Sequence, residues 1–426
     1  MSSATIFIGA AALVVSFVLT YCLKRAAKYI GLIDFPNERS SHDVPTPRGG
    51  GLAIVLASIV AMAVLTVSGV IPLRLFLALG GGGAMVAAVG FIDDCRSLSA
   101  AIRLLVHFVA AGWAVAWLGP VTHIELGSGN LSLGVFAYPM STLAIVWFLN
   151  MFNFMDGIDG IAASQSVFMC AALAILAWHW EAQSSIAPAA LMIGAASVGF
   201  LVWNWPPAKI FMGDVGSGYL GFSLAVLGLA VSAHHPSAPW SWLIVAGVFA
   251  IDATLTVIRR FLRGERVTAP HRTHAFQRLA KKFGHDKVTA SIILINFAWI
   301  LPCALLSVHS KSDVFWIAIL ALTPLLISAF AVGAGSAAPE STARAAELPS
   351  ATIVPFSLFG KLLRSRARIA PAATPLKAKV FTLSNVREQH RPNSPAFDNS
   401  NTEVSASGTT ENSERRRELR SIPSTH

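Results

Sequence analysis

Long apolar runs separated by short polar segments make up the first 333 residues of the chain. A run of about 20 apolar residues is long enough to cross the hydrocarbon core of a bilayer as an α-helix. We therefore predict an all-α fold, a polytopic membrane helix bundle of about eleven transmembrane helices. The predicted spans are 4–23, 52–71, 75–92, 104–118, 135–152, 161–178, 189–203, 217–232, 240–258, 288–308 and 314–332.

The last part of the chain lacks this pattern. Residues 334–426 are rich in Ser, Thr, Pro, Ala and Asn and carry a positive net charge. Such a segment has too little apolar periodicity to form a core. The sequence therefore predicts two parts, a transmembrane domain at 1–333 and a disordered, basic cytoplasmic tail at 334–426.

Charge placement predicts the orientation of the bundle. Only 13% of the residues are charged, against about 25% in soluble domains, and Lys and Arg accumulate in cytoplasmic loops. With the N-terminus outside, the inner loops hold seventeen Lys and Arg residues and the outer loops hold two, Arg74 and Lys311. The net charge of +10 thus reflects topology and the tail, and it does not argue for nucleic acid.

Acidic residues gather where the apolar runs stop. Asp93 and Asp94 directly follow one run, and NFMDGIDGIA places Asn153, Asp156 and Asp159 at intervals of three. Ionised groups are costly at a membrane, so acids at its edges indicate a functional site. Adjacent carboxylates on a helix point about 100° apart, so one can face a metal and the other a substrate. Capping of a helix end is the alternative for the Asp pair.

A fourth inner segment, NWPPAKIFMGDVGSGYLG, carries Lys209, Phe211 and Asp214 before the next helix. A single Asp before a helix can cap its backbone N–H groups. Because capping explains neither Lys209 nor the aromatic residue beside it, we favour Asp214 as a metal ligand. One further acid, Asp252, lies inside the ninth run and is expected to turn toward the protein interior.

Two inner loops supply basic and polar groups for an anionic ligand. The first contains Thr46 and Arg48 before a Gly-rich turn, although a plain connector enriched in arginine by membrane topology would look the same. The longest contains His271, Arg272 and His274. Without cysteine or an HExxH motif nearby, these histidines favour recognition of phosphate and sugar over binding of zinc.

In this order, TPRGGG, GFIDD, NFMDGIDGIA, FMGDVGSGYLG and PHRTHAFQ resemble the motifs of the polyprenyl-phosphate N-acetylhexosamine-1-phosphate transferases, glycosyltransferase family 4. The resemblance covers about residues 1–333 and is closest to the branch that primes surface polysaccharides. It implies transfer of a HexNAc-1-phosphate from a UDP-sugar to undecaprenyl or another polyprenyl phosphate, with release of UMP. This is the priming step of lipid-linked cell-envelope polysaccharide synthesis, such as that of O-antigen.

The resemblance also implies roles for individual residues. The implied catalytic residues are Asp93, Asp94, Asp156 and Asp159, the first two orienting or deprotonating the lipid phosphate. The implied metal ligands are Asp214 and Asn153, for Mg²⁺ with Mn²⁺ as the alternative ion. The implied substrate-binding residues are Thr46, Arg48, Arg103, Asn153, Lys209, Phe211, His271, Arg272 and His274. HRTHAFQ departs from the HHH-type loop of the muramoyl-pentapeptide enzymes, and Ser97 stands where a third acid would complete DDxxD.

The implied setting is the bacterial inner membrane, with a multi-pass chain and its active site and C-terminal tail in the cytoplasm. The expected partners are UDP-N-acetylhexosamine, polyprenyl phosphate and membrane lipids, and a homodimer is a candidate assembly. Two other classes stay open. The first is an intramembrane prenyltransferase, which also uses Asp-bound magnesium. The second is a proton-coupled transporter, which also carries carboxylates in the membrane, although near the bilayer midplane and between two inverted repeats. Direct attack by the lipid phosphate competes with an aspartyl-phosphate intermediate at Asp93.

Overall fold

The computed structural model describes residues 2–35, 44–127, 129–179, 185–233, 235–265, 271–310 and 314–336. The helices are α1 Ser3–Ile30, α2 Gly51–Val67, α3 Leu73–Phe76, α4 Gly82–Cys95, α5 Ala100–Leu118, α6 Ala137–Met155, α7 Ile161–His179, α8 Ile186–Asn204, α9 Asp214–Ser232, α10 Ala238–Val245, α11 Gly247–Leu262, α12 Ala275–Phe283, α13 His285–Ile295, α14 Leu301–His309 and α15 Val314–Val332. Two antiparallel hairpins pair β1 Ile33–Asp34 with β2 Thr46–Pro47 and β3 His123–Leu126 with β4 Gly129–Ser132.

Each of the eleven predicted spans coincides with apolar helix. Within the described ranges, nine continuous helical stretches are long and apolar enough to cross a membrane. Two of these contain a short π-helical turn, at Leu77–Gly81 between α3 and α4 and at Asn296–Ile300 between α13 and α14. The remaining two spans are the shorter helix α2 and the bent pair of α10 and α11. The predicted all-α, multi-pass membrane fold is thus confirmed.

Helix α9 lies at the centre of the bundle. All its residues after Asp214 are buried, and it packs against α6, α4 and α2. Its small residues permit this close packing. At Gly221, for example, a Cβ atom would come 2.8 Å from the Cβ of Phe152. Because α9 is enclosed by its neighbours, its first residue meets the ends of several other helices.

The ninth predicted span is not one straight helix. The chain bends by 82° between α10 and α11, at Ala246, although the apolar pattern is unbroken there. The bend positions Asp252 of α11, which is 6% exposed, beside the start of α12. Its two carboxylate oxygens accept hydrogen bonds from the N–H groups of Ala275 and Phe276 at 2.9 and 3.1 Å. Asp252 therefore faces the interior, as expected, and caps a helix.

The two ends of the bundle differ in construction. At one end, α5 leads into the β3–β4 hairpin, which is held by a hydrogen bond from the Glu125 N–H to the Pro236 carbonyl at 3.0 Å. The Trp240 indole also donates to the Glu125 carbonyl. Helix α6 then returns to the opposite end, where α4 ends and α5 and α9 begin. The predicted acids lie at that opposite end.

Most of the predicted tail, residues 337–426, lies outside the described residues. Its disorder and cytoplasmic position therefore stay predictions. Residues 334–336, which were expected to belong to the tail, are described, and together with Gly333 they follow directly on α15.

Candidate active site

Asp214, the first residue of α9, is held by side chains from three other segments. Its Oδ2 lies 3.0 Å from Nη1 of Arg103, at the start of α5. Its Oδ1 lies 3.4 Å from Nη2 of Arg48, in the loop before α2. The same oxygen accepts a hydrogen bond from Nδ2 of Asn153, near the end of α6, at 3.3 Å. Side chains from three of the predicted inner segments thus meet at Asp214.

Asp94, at the end of α4, caps α9. Its carboxylate accepts hydrogen bonds from the N–H groups of Asp214 and Val215 at 3.0 and 3.1 Å. It also forms an ion pair with Nε of Arg48 at 2.7 Å, and its side chain is 0% exposed. With both oxygens occupied and no surface, Asp94 cannot touch a substrate in this conformation. The catalytic role predicted for it gives way to the capping alternative, because α9 begins without a cap of its own.

Asp93 faces a different direction from its neighbour. Its Oδ2 forms an ion pair with Nη1 of Arg103 at 2.8 Å, and its Oδ1 accepts the N–H of Leu98 at 2.6 Å. Arg103 therefore bridges Asp93 and Asp214. The Asp93 side chain is 11% exposed, so part of its carboxylate stays accessible near the first turn of α9.

Backbone pairing holds the loop that carries Arg48. Thr46 and Pro47 form β2, and the Pro47 carbonyl accepts the N–H of Phe211 at 2.8 Å. The Phe211 carbonyl in turn accepts the N–H of Gly50 at 2.9 Å. The buried Thr46 hydroxyl donates to the Val44 carbonyl at 2.9 Å. These contacts of Thr46 and Phe211 are structural, and they keep Arg48 beside Asp214.

Two glycines let these segments approach one another. Gly213 has φ +76°, and a Cβ there would lie 2.4 Å from Oδ2 of Asp94. A Cβ on Gly90 of α4 would lie 2.5 Å from the Asp214 carbonyl oxygen. Both distances are too short for any side chain, so only glycine permits this packing.

Asp156 directly follows α6 and stands apart from the ion pairs. Among the residues that the structure describes, no hydrogen-bond or salt-bridge partner is seen for its carboxylate. Burial, followed by the negative charge of Asp214, raises the pKa of Asp156 to about 7.

One turn earlier, Nδ2 of Asn153 also donates to Oγ of Ser217 at 2.8 Å. Ser217 was not among the predicted site residues, although the sequence places it in the first turn of the helix that begins at Asp214.

Asp159 has other neighbours. Its Oδ2 accepts the N–H of Ala208 at 3.0 Å, and its Oδ1 lies 3.3 Å from Nδ1 of His285. Its carbonyl accepts the Thr289 hydroxyl at 2.8 Å. These contacts tie the α6–α7 loop to α13, so Asp159 lies outside the Asp214 cluster. His285 was not anticipated, because a lone histidine at a helix start carries no signal.

Three other predicted substrate-binding residues, Lys209, His271 and His274, contact residues that take no part in the ion pairs of Asp214. Nζ of Lys209 lies 5.5 Å from the centroid of the Trp203 ring. His274 is 2% exposed and its Nδ1 lies 3.4 Å from Oδ1 of Asp252, so it supports α12. Its ring lies 4.9 Å from that of His271, whose pKa falls to about 4, mainly through burial. His271 is therefore neutral at pH 7.

Helix α12 contacts the loop of Asp156. A Cβ on Gly157 would lie 2.9 Å from Nε2 of Gln277 and 3.0 Å from Cζ of Phe276. The segment with His271 and Arg272, which precedes α12, is thus linked through α12 to the loop of Asp156.

Comparison with known proteins agrees with this geometry. The model of glycosyl transferase family 4 matches residues 76–232, from α3 to the end of α9. A probable undecaprenyl-phosphate N-acetylglucosaminyl 1-phosphate transferase of Bacillus subtilis is 32% identical over 73% of this chain and 86% of its own length.

Two further relatives have the same kind of name. A decaprenyl-phosphate N-acetylglucosaminephosphotransferase of Mycobacterium tuberculosis is 28% identical over 69% of this chain and 79% of its own. An undecaprenyl-phosphate alpha-N-acetylglucosaminyl 1-phosphate transferase of Escherichia coli is 26% identical over 69% and 81%. The chain belongs to glycosyl transferase family 4, among the polyprenyl-phosphate N-acetylhexosamine-1-phosphate transferases.

Proposed function

We propose that this enzyme transfers a HexNAc-1-phosphate from a UDP-N-acetylhexosamine to a polyprenyl phosphate and releases UMP. The observation that carries the proposal is the group of Arg48, Arg103 and Asn153 around Asp214 at the start of a central helix. Guanidinium groups bind phosphates through paired N–H donors, and Arg48 and Arg103 each keep part of their side-chain surface exposed. The relatives' names support the same reaction.

The donor set suits magnesium. Within the described ranges, no group of three or more His, Cys, Asp or Glu residues is arranged to hold an ion alone. Mg²⁺ characteristically binds through one or two carboxylates together with substrate phosphates. Asp214 and the uncompensated Asp156, with the amide oxygen of Asn153, fit that requirement, and Mn²⁺ is the alternative ion. When bound, the ion would neutralise phosphate charge and so lower repulsion between the two anionic substrates.

The protein's own residues would then act on the phosphates. In the proposed reaction an oxygen of the lipid phosphate attacks the β-phosphorus of the UDP-sugar, and the bond from that phosphorus to the bridging oxygen of UMP breaks. Arg48 and Arg103 would hold the phosphates in line. Asp93, which pairs with Arg103, would orient the lipid phosphate through that arginine. Because that phosphate is already ionised near neutral pH, no strong base is needed.

The two alternative protein classes, a proton-coupled transporter and an intramembrane prenyltransferase, have less support. The carboxylates lie at helix ends, whereas a proton-coupled transporter would place them near the midplane. A prenyltransferase would leave the FMGDVGS and HRTHAFQ segments without a clear task. Four further points stay predictions: which UDP-HexNAc is the donor, location in the inner membrane, an N-terminus outside the cell, and assembly as a homodimer.

A membrane assay tests the reaction. Membranes containing the full chain are supplied with undecaprenyl phosphate, magnesium and one radiolabelled UDP-HexNAc at a time, and UMP and lipid-linked sugar are both measured. We expect equal amounts of the two products, with none after chelation of the metal. UMP released as a burst in the absence of acceptor lipid would overturn direct attack and favour an aspartyl-phosphate.

The variant Asp214→Asn tests the centre of the site. We expect turnover to fall by about a hundredfold or more, because the ion and the arginines lose their shared carboxylate. The matched control is Asp286→Asn, an exposed acid in the first turn of α13, which should leave turnover unchanged. Full activity of Asp214→Asn in correctly inserted protein would remove Asp214 as the essential ligand.

A further inference from the structure

The chain does not leave the bundle where α15 ends. Residues 333–336 fold back over the start of α12, and Ala334 is 0% exposed, packed with Ala275 and Ala329. The Gly335 N–H donates to the Thr273 carbonyl at 2.7 Å. This bond reaches the middle of the segment that carries His271, Arg272 and His274.

Two arginines fasten the 333–336 segment from the other side. Nη1 of Arg259 donates to the Ala334 carbonyl at 2.8 Å, and its guanidinium lies 3.9 Å from the centroid of the Phe330 ring. Nη2 of Arg278, on α12, donates to the Ser336 carbonyl. The segment therefore joins α11, α12 and α15 through its backbone carbonyls.

The start of α12 is thus held from two directions. Asp252 accepts the N–H groups of Ala275 and Phe276 from the interior, while Gly335 holds Thr273 from outside. On its far side, α12 contacts Gly157, next to Asp156, through Phe276 and Gln277. A continuous set of contacts therefore links the 333–336 segment to the loop of Asp156.

We propose that the 333–336 segment is a positioning element that fixes the 271–277 loop against the Asp156 loop for binding of the nucleotide sugar. This inference rests on the proposed function, since it assigns that loop to the UDP-sugar. It acts on one substrate only, because the contacts reach α12 and the Asp156 loop and do not involve Arg48 or Arg103.

Gly335 offers a sharp test. Its φ is +70°, and a Cβ would lie 2.9 Å from the Cα and carbonyl oxygen of Thr256, so Gly335→Ala must displace the segment. Gly264 is the matched control, with φ +71° and nothing within 4 Å of a Cβ. Both substitutions carry the same backbone strain, and only Gly335→Ala adds the clash.

Two readouts are taken on the full-length chain. For Gly335→Ala we expect the KM for the UDP-HexNAc to rise about three- to tenfold, the effect of losing one hydrogen bond, with the KM for polyprenyl phosphate unchanged. Hydrogen exchange at the Ala275 and Phe276 amides should also quicken. Gly264→Ala should change neither. If Gly335→Ala does not fold, Arg259→Gln is expected to give the same two changes.

Unchanged exchange at Ala275 and Phe276, or equal effects of both glycine variants, would overturn the positioning role. If the wild-type chain turns over no UDP-HexNAc, the proposed function fails, and the exchange measurement still decides whether the segment orders α12. A rise in the KM of both substrates together would indicate general loosening and would also overturn the proposal.

Discussion

Asp93 and Asp94 are adjacent and chemically identical, yet their positions give them different contacts and different exposure. Asp94 is fully enclosed and joins Arg48 to the start of α9, whereas Asp93 keeps some exposure and reaches Arg103. The sequence predicted that the two would point apart, because the helical geometry requires it. It could not tell which one faces inward, since that depends on how α4 packs against α9.

Substituting the two aspartates should separate stability from catalysis. We expect Asp94→Ala to lower the free energy of unfolding by about 2–4 kcal/mol, because it removes a helix cap and leaves Arg48 without its closest partner. Asp93→Asn should leave the midpoint of thermal unfolding nearly unchanged and lower kcat/KM about tenfold to a hundredfold. Thermal unfolding in detergent and the membrane assay measure the two effects, and the reverse assignment would contradict this division.

Asp156 should make the stability of the metal-free protein depend on pH. Its pKa of about 7 in the folded chain lies above its ordinary value, so the folded state holds a proton that the unfolded state has released between about pH 4 and 7. Stability contributed by this group is therefore lost as pH rises through that window. Asp156→Asn, which cannot ionise, should be little different from wild type at pH 4 and more stable than wild type at pH 8.

Thermal unfolding with chelator present at the two pH values tests this prediction. Added Mg²⁺ should stabilise the wild type at pH 8 more than it stabilises Asp156→Asn, because a bound ion binds the charged carboxylate. An Asn variant whose advantage is the same at both pH values would show that Asp156 titrates as an ordinary exposed acid.

At the scale of the element, helix α9 organises the site because its neighbours can approach its first turn. Gly90→Ala should displace that turn, since the added Cβ would lie 2.5 Å from the Asp214 carbonyl oxygen. The control is Gly112→Ala in α5, where nothing lies within 4 Å of a Cβ. In a helix interior that change is neutral or stabilising by about 0.5–1 kcal/mol.

We therefore expect Gly90→Ala to lose most of its transferase activity and to unfold at a lower temperature, while Gly112→Ala keeps both properties. The membrane assay and thermal unfolding provide the comparison. Equal behaviour of the two variants would mean that α4 can move away from α9 without consequence for the site.

The elements themselves were largely predictable, because an apolar run of sufficient length must become a helix in a bilayer. Two features were not. The 82° bend at Ala246 interrupts no apolar run, so hydropathy could not reveal it. Helix α12 carries several charges and is too short to span, and its cap, Asp252, is more than twenty residues away in sequence. Tertiary contacts of this kind leave no local pattern.

At the scale of the molecule, contacts place all the predicted loops with acids at one end of the bundle, and the β3–β4 hairpin at the other. The sequence anticipated that grouping from the alternation of spans. Which end faces the cytoplasm rests on charge alone, since the sequence assigns seventeen Lys and Arg residues to the same set of loops as the predicted acids and two to the opposite set. The proposed reaction requires this orientation, because nucleotide sugars are made inside the cell.

Cysteine labelling in intact cells decides the orientation. Cys95, at the site end of α4, is exposed, whereas Cys170 and Cys303 are buried, so a Cys22→Ser chain leaves Cys95 as the reactive thiol. His123→Cys, with Cys95 also replaced by Ser, places a thiol on the exposed hairpin at the other end. A membrane-impermeant maleimide should label the hairpin thiol in intact cells and Cys95 only after permeabilisation. The opposite result would place the Asp214 cluster outside, where no cytoplasmic UDP-sugar could reach Arg48 and Arg103, and the proposed function would fail with it.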